Sequence, residues 1–250
     1  MTFNQLLQKL NLFFRLFVAP PKRWQLPKKS EVLIYDAAGK TYLLPYLTEY
    51  RTEILPLRGE SVCVPCVLSA MKDIRFWTGM PLQGYADTYI WHVSPVIVLT
   101  WVDNNPEFYL LKARHPKVQF LSVQNAARSD LGDVFRPLNK EPSRGNSYRA
   151  DYIIAFGSLF GAEYSKHIQG NVVLAGSLRN NLVPKQRSKV SGTLAFISQY
   201  RDIKRMDMGG WFYSFEKFFE QTDQLILSFL VEYAKAMDKV LYIVPCTAHY

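Results

Sequence analysis

The chain has 250 residues, of which 48% are hydrophobic and 14% aromatic, so a substantial core can form and extensive disorder is excluded. That length suffices for one large domain or one and a half ordinary ones. The formal net charge is +9, but residues 1–30 alone hold six basic and no acidic side chains. The remaining chain is nearly balanced in charge, which argues against nucleic acid as a partner.

The N-terminal segment, Met1 to Lys29, predicts a basic amphipathic helix followed by a proline-rich connector. Its apolar residues recur at helical spacing up to Val18, but Asn11 and Arg15 make the run too short and too polar to span a bilayer. Such a helix either lies on an anionic membrane surface or packs on its own domain. We therefore expect a cytoplasmic protein. If the helix lies on a membrane, we expect the protein to attach peripherally to the inner membrane face.

Three cysteines, Cys63, Cys66 and Cys246, are too few for a disulfide framework. The first two have the spacing of a redox motif, but they sit in an apolar segment, which favours packing as small hydrophobic residues. The sequence contains no metal-ligand set or cofactor fingerprint, so neither a metal nor a cofactor is predicted.

The first predicted unit begins with a strand from Glu31 to Tyr35, and a helix is expected to follow and to continue through Tyr50. A second strand, Thr52 to Leu57, ends in a polar turn that contains Arg58 and Glu60. These two residues either belong to a site or form an ion pair that only fixes the turn. Ser61 is predicted to cap a helix that runs to about Trp77.

The central strand, Pro95 to Thr100, is a short apolar run typical of a buried parallel strand. It is followed by a polar loop with Asp103 and Asn104. Asn105 is then the predicted N-cap of a helix whose first residue is Pro106. Polar residues in this position lie where open α/β sheets bind ligands, although a well-capped turn without a ligand fits the pattern too.

The next strand, Val118 to Val123, repeats this pattern and ends in Gln124, Asn125 and Arg128. Because the carboxyl ends of parallel strands meet at one sheet edge, we expect these side chains to lie near those of the preceding loop. Amides and an arginine supply directional hydrogen bonds and a fixed positive fork, which suit hydroxyl-rich or phosphorylated ligands.

The rest of the chain continues the alternation of strands and helices and predicts an α/β fold. The predicted domains are a Rossmann-like parallel-sheet domain over residues 31–182, a linker over 183–192, and the start of a second Rossmann-like unit over 193–250. In that second unit, a long helix from Ser214 to about Met237 separates two strands.

Five segments, taken together and in order, resemble the bacterial surface-carbohydrate (polysaccharide) biosynthesis proteins, a glycosyltransferase-like family of GT-B architecture. They are TWVDNNPEFY (Thr100 to Tyr109), FLSVQNAAR (Phe120 to Arg128), FGSLFGAEY (Phe156 to Tyr164), GSLRNN (Gly176 to Asn181) and FISQYR (Phe196 to Arg201). The resemblance implies transfer of a sugar from a nucleotide sugar to a glycan or lipid-linked acceptor. It also implies that the first domain mainly holds the acceptor and the second mainly the donor.

The candidate site residues follow from the chemistry of their side chains and from their position in the chain. Asp103 or Glu60 is the predicted acceptor of the hydroxyl proton. The predicted substrate-binding residues are Asn104, Asn105, Gln124, Asn125, Arg128 and Arg58, and the predicted donor-side residues are Ser177, Arg179, Asn180, Gln199 and Arg201.

The chain departs from the family pattern at two points. A position that often reads Gln-Asn-Gly is here Gln124-Asn125-Ala126, and the later half of a donor domain is not present before Tyr250. We therefore expect an incomplete copy, a protein whose missing half comes from another chain, or a product that is no longer an enzyme. The alternative function is a non-catalytic, membrane-associated binding or scaffold protein derived from the same fold.

Overall fold

The structure, a computed structural model, describes residues 14, 18–73, 76, 81–126, 128, 148–183, 192–198 and 213–244, with side chains from 222 onward in the last range. The chain forms two compact units, Met1–Pro184 and Lys185–Tyr250, and each is described by itself.

The first unit is built on a six-stranded parallel sheet with the strand order β3-β2-β5-β6-β7-β8. The Rossmann-like α/β fold predicted from the sequence is confirmed. The direction in which strands are added reverses between β2 and β5, which is the topological switch point where open α/β sheets bind ligands. The strands are β2 (Val32–Tyr35), β3 (Thr52–Leu55), β5 (Ile97–Thr100), β6 (Gln119–Val123), β7 (Tyr148–Ala155) and β8 (Ile168–Leu174); β1 (Lys22–Arg23) and β4 (Val62–Cys63) pair separately.

Helices cover the two faces of this sheet unequally. They are α1 (Lys40–Leu43), α2 (Val64–Ala70), α3 (Pro81–Val93), α4 (Pro106–Arg114), α5 (Ser158–His167) and α6 (Leu178–Asn181). The larger core cluster contains Leu33 and Phe120 of the sheet with residues of α2 to α5. The smaller cluster lies on the other face, where Ile34 of the sheet packs with Leu43 of α1. Successive residues of a strand face opposite ways, so β2 contributes to both clusters.

The start of α4 follows the predicted pattern. The side chain of Asn105 accepts a hydrogen bond from the backbone N–H of Glu107 at 3.1 Å, and Pro106 is the first helical residue. The predicted N-cap is therefore confirmed. It fixes the direction in which the chain leaves the carboxyl end of β5.

The helix predicted to extend through Tyr50 is shorter than expected. It ends at Leu43 and is followed by one 3-10 turn, Leu44–Tyr46, because Pro45 has no backbone N–H to continue an α-helix.

The predicted cap at Ser61 is wrong. Val62 and Cys63 form strand β4, which pairs in parallel with β1, and α2 begins only at Val64. Strand β1 lies inside the segment that the sequence indicated as a connector. The local sequence pattern could not predict β1, because a two-residue strand forms only by pairing with a partner that is distant in the chain.

The second unit contains β9 (Thr193–Ile197), α7 (Tyr213–Ala236) and β10 (Val240–Val244), with β9 and β10 paired in parallel. This strand–helix–strand order was predicted. The Ser198 hydroxyl, just after β9, donates a hydrogen bond to the Asp223 carboxylate of α7.

None of the described helices has the length and apolar character needed to cross a bilayer. The predicted N-terminal amphipathic helix lies outside the described residues except for Phe14 and Val18. Its membrane association stays a prediction.

Candidate functional site

The loop after β5 is held tightly against the end of β2. The Thr100 hydroxyl donates to the Tyr35 carbonyl at 3.2 Å and accepts from the Val102 backbone N–H at 3.0 Å. These bonds turn the chain at the switch point and carry it inward, so that Asp103 is completely buried.

Asp103 is the centre of a buried ion-pair cluster. Arg128 Nε donates to Asp103 Oδ2 at 2.9 Å, Arg128 Nη2 donates to Oδ1, and the Tyr164 hydroxyl donates to Oδ2. The side chains of Asp103 and Arg128 are only 1% and 6% exposed. Both carboxylate oxygens are thus engaged, and the carboxylate charge is neutralised by a fork of donors rather than by solvent.

Two tyrosine hydroxyls complete the cluster. Tyr109 donates to the Asp103 backbone carbonyl at 2.8 Å and lies 2.8 Å from the Ser122 hydroxyl. Burial, reinforced by the negative charge of Asp103, raises the pKa of Tyr109 and of Tyr164 well above the usual range. Both phenols therefore stay protonated and act as hydrogen-bond donors at neutral pH.

The two amides after β6 connect this cluster to neighbouring strands. Asn125 donates from Nδ2 to the Trp101 carbonyl at 2.8 Å and accepts on Oδ1 from Arg128 Nη2 at 2.6 Å. Gln124 accepts on Oε1 from the Phe156 backbone N–H at 2.8 Å, just after β7. The loops after β5, β6 and β7 are therefore joined by side-chain hydrogen bonds.

At the switch point, an exposed arginine is anchored to a buried carboxylate. Arg58 Nε donates to Asp36 Oδ1 at 3.0 Å and to Oδ2 at 2.8 Å, with the Arg58 side chain 55% exposed and that of Asp36 5% exposed. Asp36 also accepts from the Ala38 backbone N–H at 2.9 Å. Glu60 accepts from the Arg58 backbone N–H at 2.9 Å, so it fixes the turn through the main chain.

A second arginine reaches the same region from the far end of the sheet. The Arg179 guanidinium of α6 lies 5.1 Å from the centre of the Tyr42 ring, and Tyr42 stacks on Trp101 at 5.1 Å. The Tyr46 hydroxyl donates to the Leu178 carbonyl at 2.9 Å and holds α6 near α1. Gly39 must be glycine here, since its φ is +77° and a Cβ would come within 2.1 Å of Trp101.

The structure brings together four of the predicted residues: Asp103, Gln124, Asn125 and Arg128. Asn104 is exposed beside them, and Asn105 is occupied as the helix cap.

Of the donor-side predictions, Arg179 reaches the switch point, where it packs on Tyr42. Ser177 is the N-cap of α6 and accepts from the Asn180 backbone N–H at 3.4 Å, so these residues organise a helical turn where a loop was expected. Gln199 and Arg201 lie outside the described residues.

Sequence reasoning missed four residues that organise the site: Asp36, Tyr42, Tyr109 and Tyr164. The two buried tyrosines fall inside the quoted motifs, but aromatic residues at helical spacing indicate core and not a polar role. Tyr42 acquires its role only through contacts with Trp101 and Arg179, which are distant in the chain.

Comparison with known proteins gives one family. A family model described as "putative O-antigen biosynthesis protein" matches residues 121–247, just over half of the chain. No curated protein and no solved structure shows significant similarity to the chain. The matched region begins within β6 and includes Gln124, Asn125 and Arg128 of the site. The chain therefore belongs to this family of O-antigen biosynthesis proteins and has its place in surface polysaccharide biosynthesis.

Proposed function

We propose that the protein binds a nucleotide sugar at the switch point of the first unit and transfers the sugar to a glycan or lipid-linked acceptor. The observation that carries this proposal is the pair of exposed arginines, Arg58 and Arg179. Each is fixed to a residue that follows β2: Arg58 to Asp36 and Arg179 to Tyr42. Two cations thus converge on the place where this sheet topology binds ligands.

The guanidinium group suits a diphosphate because its planar fork of N–H donors matches pairs of phosphate oxygens. Arg58 bonds Asp36 through Nε, which leaves its two terminal amino groups for an anion. Anchoring on a buried carboxylate also lowers the entropy lost when the side chain orders on a ligand. The exposed amide of Asn104 can hydrogen-bond sugar hydroxyls at the same edge.

Of the two carboxylates predicted to accept the hydroxyl proton, Glu60 fits that role better. Glu60 is exposed and lies two residues from Arg58. Both oxygens of Asp103 are taken by Arg128 and Tyr164, so we assign Asp103 a positioning role. It holds the loops after β5 and β6 in register, so that Asn104 faces the ligand from a fixed loop.

A non-catalytic binding function is the second candidate. It is favoured by the complete engagement of Asp103, which leaves Glu60 as the one predicted proton acceptor that is exposed. Release of free nucleotide from uridine or guanosine diphosphate sugars, measured for the protein and for Glu60→Gln, separates the two. Turnover that Glu60→Gln abolishes supports the transferase, whereas binding without turnover in either protein supports the second candidate.

Binding itself is tested by calorimetry with the same nucleotide sugars. We expect Arg58→Ala to weaken binding by at least about tenfold, because a charge-assisted contact to phosphate is worth more than 1.4 kcal/mol. Arg51→Ala is the matched control: this arginine is 76% exposed and pairs with Glu31 at 3.4 Å, at the opposite end of β3. Equal affinity of Arg58→Ala and the unaltered protein, or equal weakening by Arg51→Ala, would refute a phosphate site at the switch point.

A further inference from the structure

The segment that leads into the first strand of the sheet, residues 18–30, is fastened along the first unit as a strap. Its strand β1 pairs with β4, and the Val62 backbone N–H donates to the Pro21 carbonyl at 2.9 Å. At the other end, the Ser30 backbone N–H donates to the Val93 carbonyl at 3.4 Å. The strap is therefore held by the folded unit at both ends, and its outward side chains belong to a fixed surface.

The middle of the strap is anchored by one arginine. Arg23 donates from Nη2 to Glu53 Oε1 at 3.2 Å and from Nη1 to the Tyr89 hydroxyl at 3.2 Å. The Tyr89 hydroxyl in turn donates to Glu53 Oε1 at 2.8 Å. The charge of Arg23 is thus compensated by Glu53 of β3, and the outward surface is made by the other residues of the strap.

Three apolar side chains of the strap are exposed to solvent. Trp24 is 73% exposed, Leu26 50% and Val18 47%, whereas Pro27 is buried. Single exposed apolar residues are common on protein surfaces, but several in one short segment indicate an interaction surface. Tryptophan in particular favours the boundary between water and lipid, because its ring is apolar and its indole N–H is polar.

The same segment carries positive charge. Lys22, Lys28 and Lys29 are exposed, and the Lys22 ammonium donates to two backbone carbonyls, which are neutral. The first acidic residue of the chain is Glu31, and it pairs with Arg51 at 3.4 Å. The outward side of the strap therefore combines exposed apolar groups with positive charge.

This combination matches the surface of a bilayer that contains anionic lipids. Apolar side chains enter the interface, while lysine ammonium groups at the end of flexible stems stay near the headgroup phosphates. A soluble polyanion would bind the lysines but would make no use of Trp24 and Leu26. A membrane surface accounts for both parts of the strap.

We propose that the strap is a docking surface for an anionic lipid bilayer, in which Trp24 and Leu26 enter the interface and Lys28 and Lys29 contact headgroup phosphates. The inference goes beyond the proposed function and does not rest on it. Attachment of this kind uses residues that are fixed to the folded unit, so it would also set the orientation of that unit on the membrane.

The first test is co-sedimentation of the full chain with vesicles of phosphatidylcholine, alone or in an equal mixture with phosphatidylglycerol. We expect binding to the mixed vesicles, weakened by at least about tenfold in Trp24→Ala/Leu26→Ala because the apolar contact with lipid is lost. The matched control is Leu159→Ala/Leu174→Ala, since these leucines are 74% and 57% exposed on α5 and β8, at the opposite edge of the sheet from β3. All four side chains are exposed, so the melting temperature followed by circular dichroism should not change.

The second test concerns charge. We expect Lys28→Gln/Lys29→Gln to weaken binding to the mixed vesicles by at least about tenfold, because each basic residue near an anionic surface contributes to the attraction. The control Lys166→Gln/Lys235→Gln removes the same net charge from exposed lysines that pair with glutamates on α5 and α7. An effect of net charge alone would weaken both double variants equally.

Several results would overturn the proposal. They are no binding to the mixed vesicles, equal binding to phosphatidylcholine alone, and equal weakening in the strap variants and their controls. Undiminished binding of the strap variants would also overturn it, by assigning any membrane attachment to residues outside the strap. Retention on heparin without binding to vesicles would assign the lysines to a soluble polyanion instead. No nucleotide sugar enters these experiments, so their failure is independent of the proposed function.

Discussion

Two aspartate–arginine pairs in the first unit have the same chemistry but different surroundings. Asp103 and Arg128 are 1% and 6% exposed, and Tyr164 and Asn125 supply further bonds to the pair. Asp87 and Arg114 are 21% and 25% exposed and lie in the wall of an open cavity. The two pairs differ in burial and not in residue type: one is enclosed in the core and the other lines an open cavity.

The physical reason is the cost of removing charges from water. A fully buried pair is held by strong attraction, but each charge becomes very unfavourable if its partner is lost. A partly exposed pair is screened by solvent, so either partner can be changed at modest cost. Three substitutions test this difference between the buried and the partly exposed pair.

Asp103→Asn should have the largest effect on stability. It removes the carboxylate that pairs with the buried Arg128 guanidinium, so we expect a loss of about 3–5 kcal/mol in the free energy of unfolding. Urea denaturation followed by circular dichroism measures it. The double variant Asp103→Asn/Arg128→Met, which removes both charges, should recover part of the loss. If the single variant unfolds at the urea concentration of the unaltered protein, the buried pair does not stabilise the fold.

Tyr164→Phe should have an intermediate effect. It removes a hydrogen bond from a neutral donor to the Asp103 carboxylate, which is worth about 1.5–3 kcal/mol at neutral pH. The control Tyr50→Phe concerns an exposed tyrosine and should be close to neutral. Equal losses in the two variants would contradict the structural role of Tyr164.

The raised pKa of Tyr164 adds a pH dependence to this second prediction. Above pH of about 10 the unfolded chain releases its tyrosine proton while the folded chain retains it. The unfolded state then binds fewer protons, so the free energy of unfolding falls as pH rises. Tyr164→Phe lacks this group, and its stability should fall less steeply above about pH 10 in urea titrations.

Asp87→Asn should have the smallest effect on stability, about 1 kcal/mol or less, because its partner Arg114 retains access to solvent. Thermal unfolding of this variant beside Asp103→Asn measures the difference between the two pairs directly. A loss as large as that of Asp103→Asn would show that the cavity wall is part of the structural core.

Part of the candidate site was predictable because it depends on chain order and strand direction. Strands β5 and β6 are neighbours and parallel, so their carboxyl-end residues Asp103, Gln124, Asn125 and Arg128 had to lie near one another. The buried state of Asp103 was not predictable. It depends on Tyr164, which reaches the cluster from α5, after β7.

The two exposed arginines, Arg58 and Arg179, were likewise predicted only in part. Arg58 was identified by its position after β3, with an ion pair to Glu60 as one of two alternatives. The guanidinium instead binds Asp36 after β2, because β2 and β3 are paired in the sheet. Arg179 was assigned to the donor side, whereas it packs on Tyr42 within the first unit.

The sequence by itself determined the alternation of strands and helices, the parallel α/β class and the start of α4 at Asn105 and Pro106. These depend on hydrophobic period, backbone chemistry and capping, all of which act within a few residues. Only the tertiary structure decided that β1 pairs with β4, that Asp103 is buried with Arg128 and Tyr164, and that Arg114 pairs with Asp87. These arrangements join residues far apart in the chain, and they form because packing the helices on the sheet leaves each polar side chain with a specific neighbour.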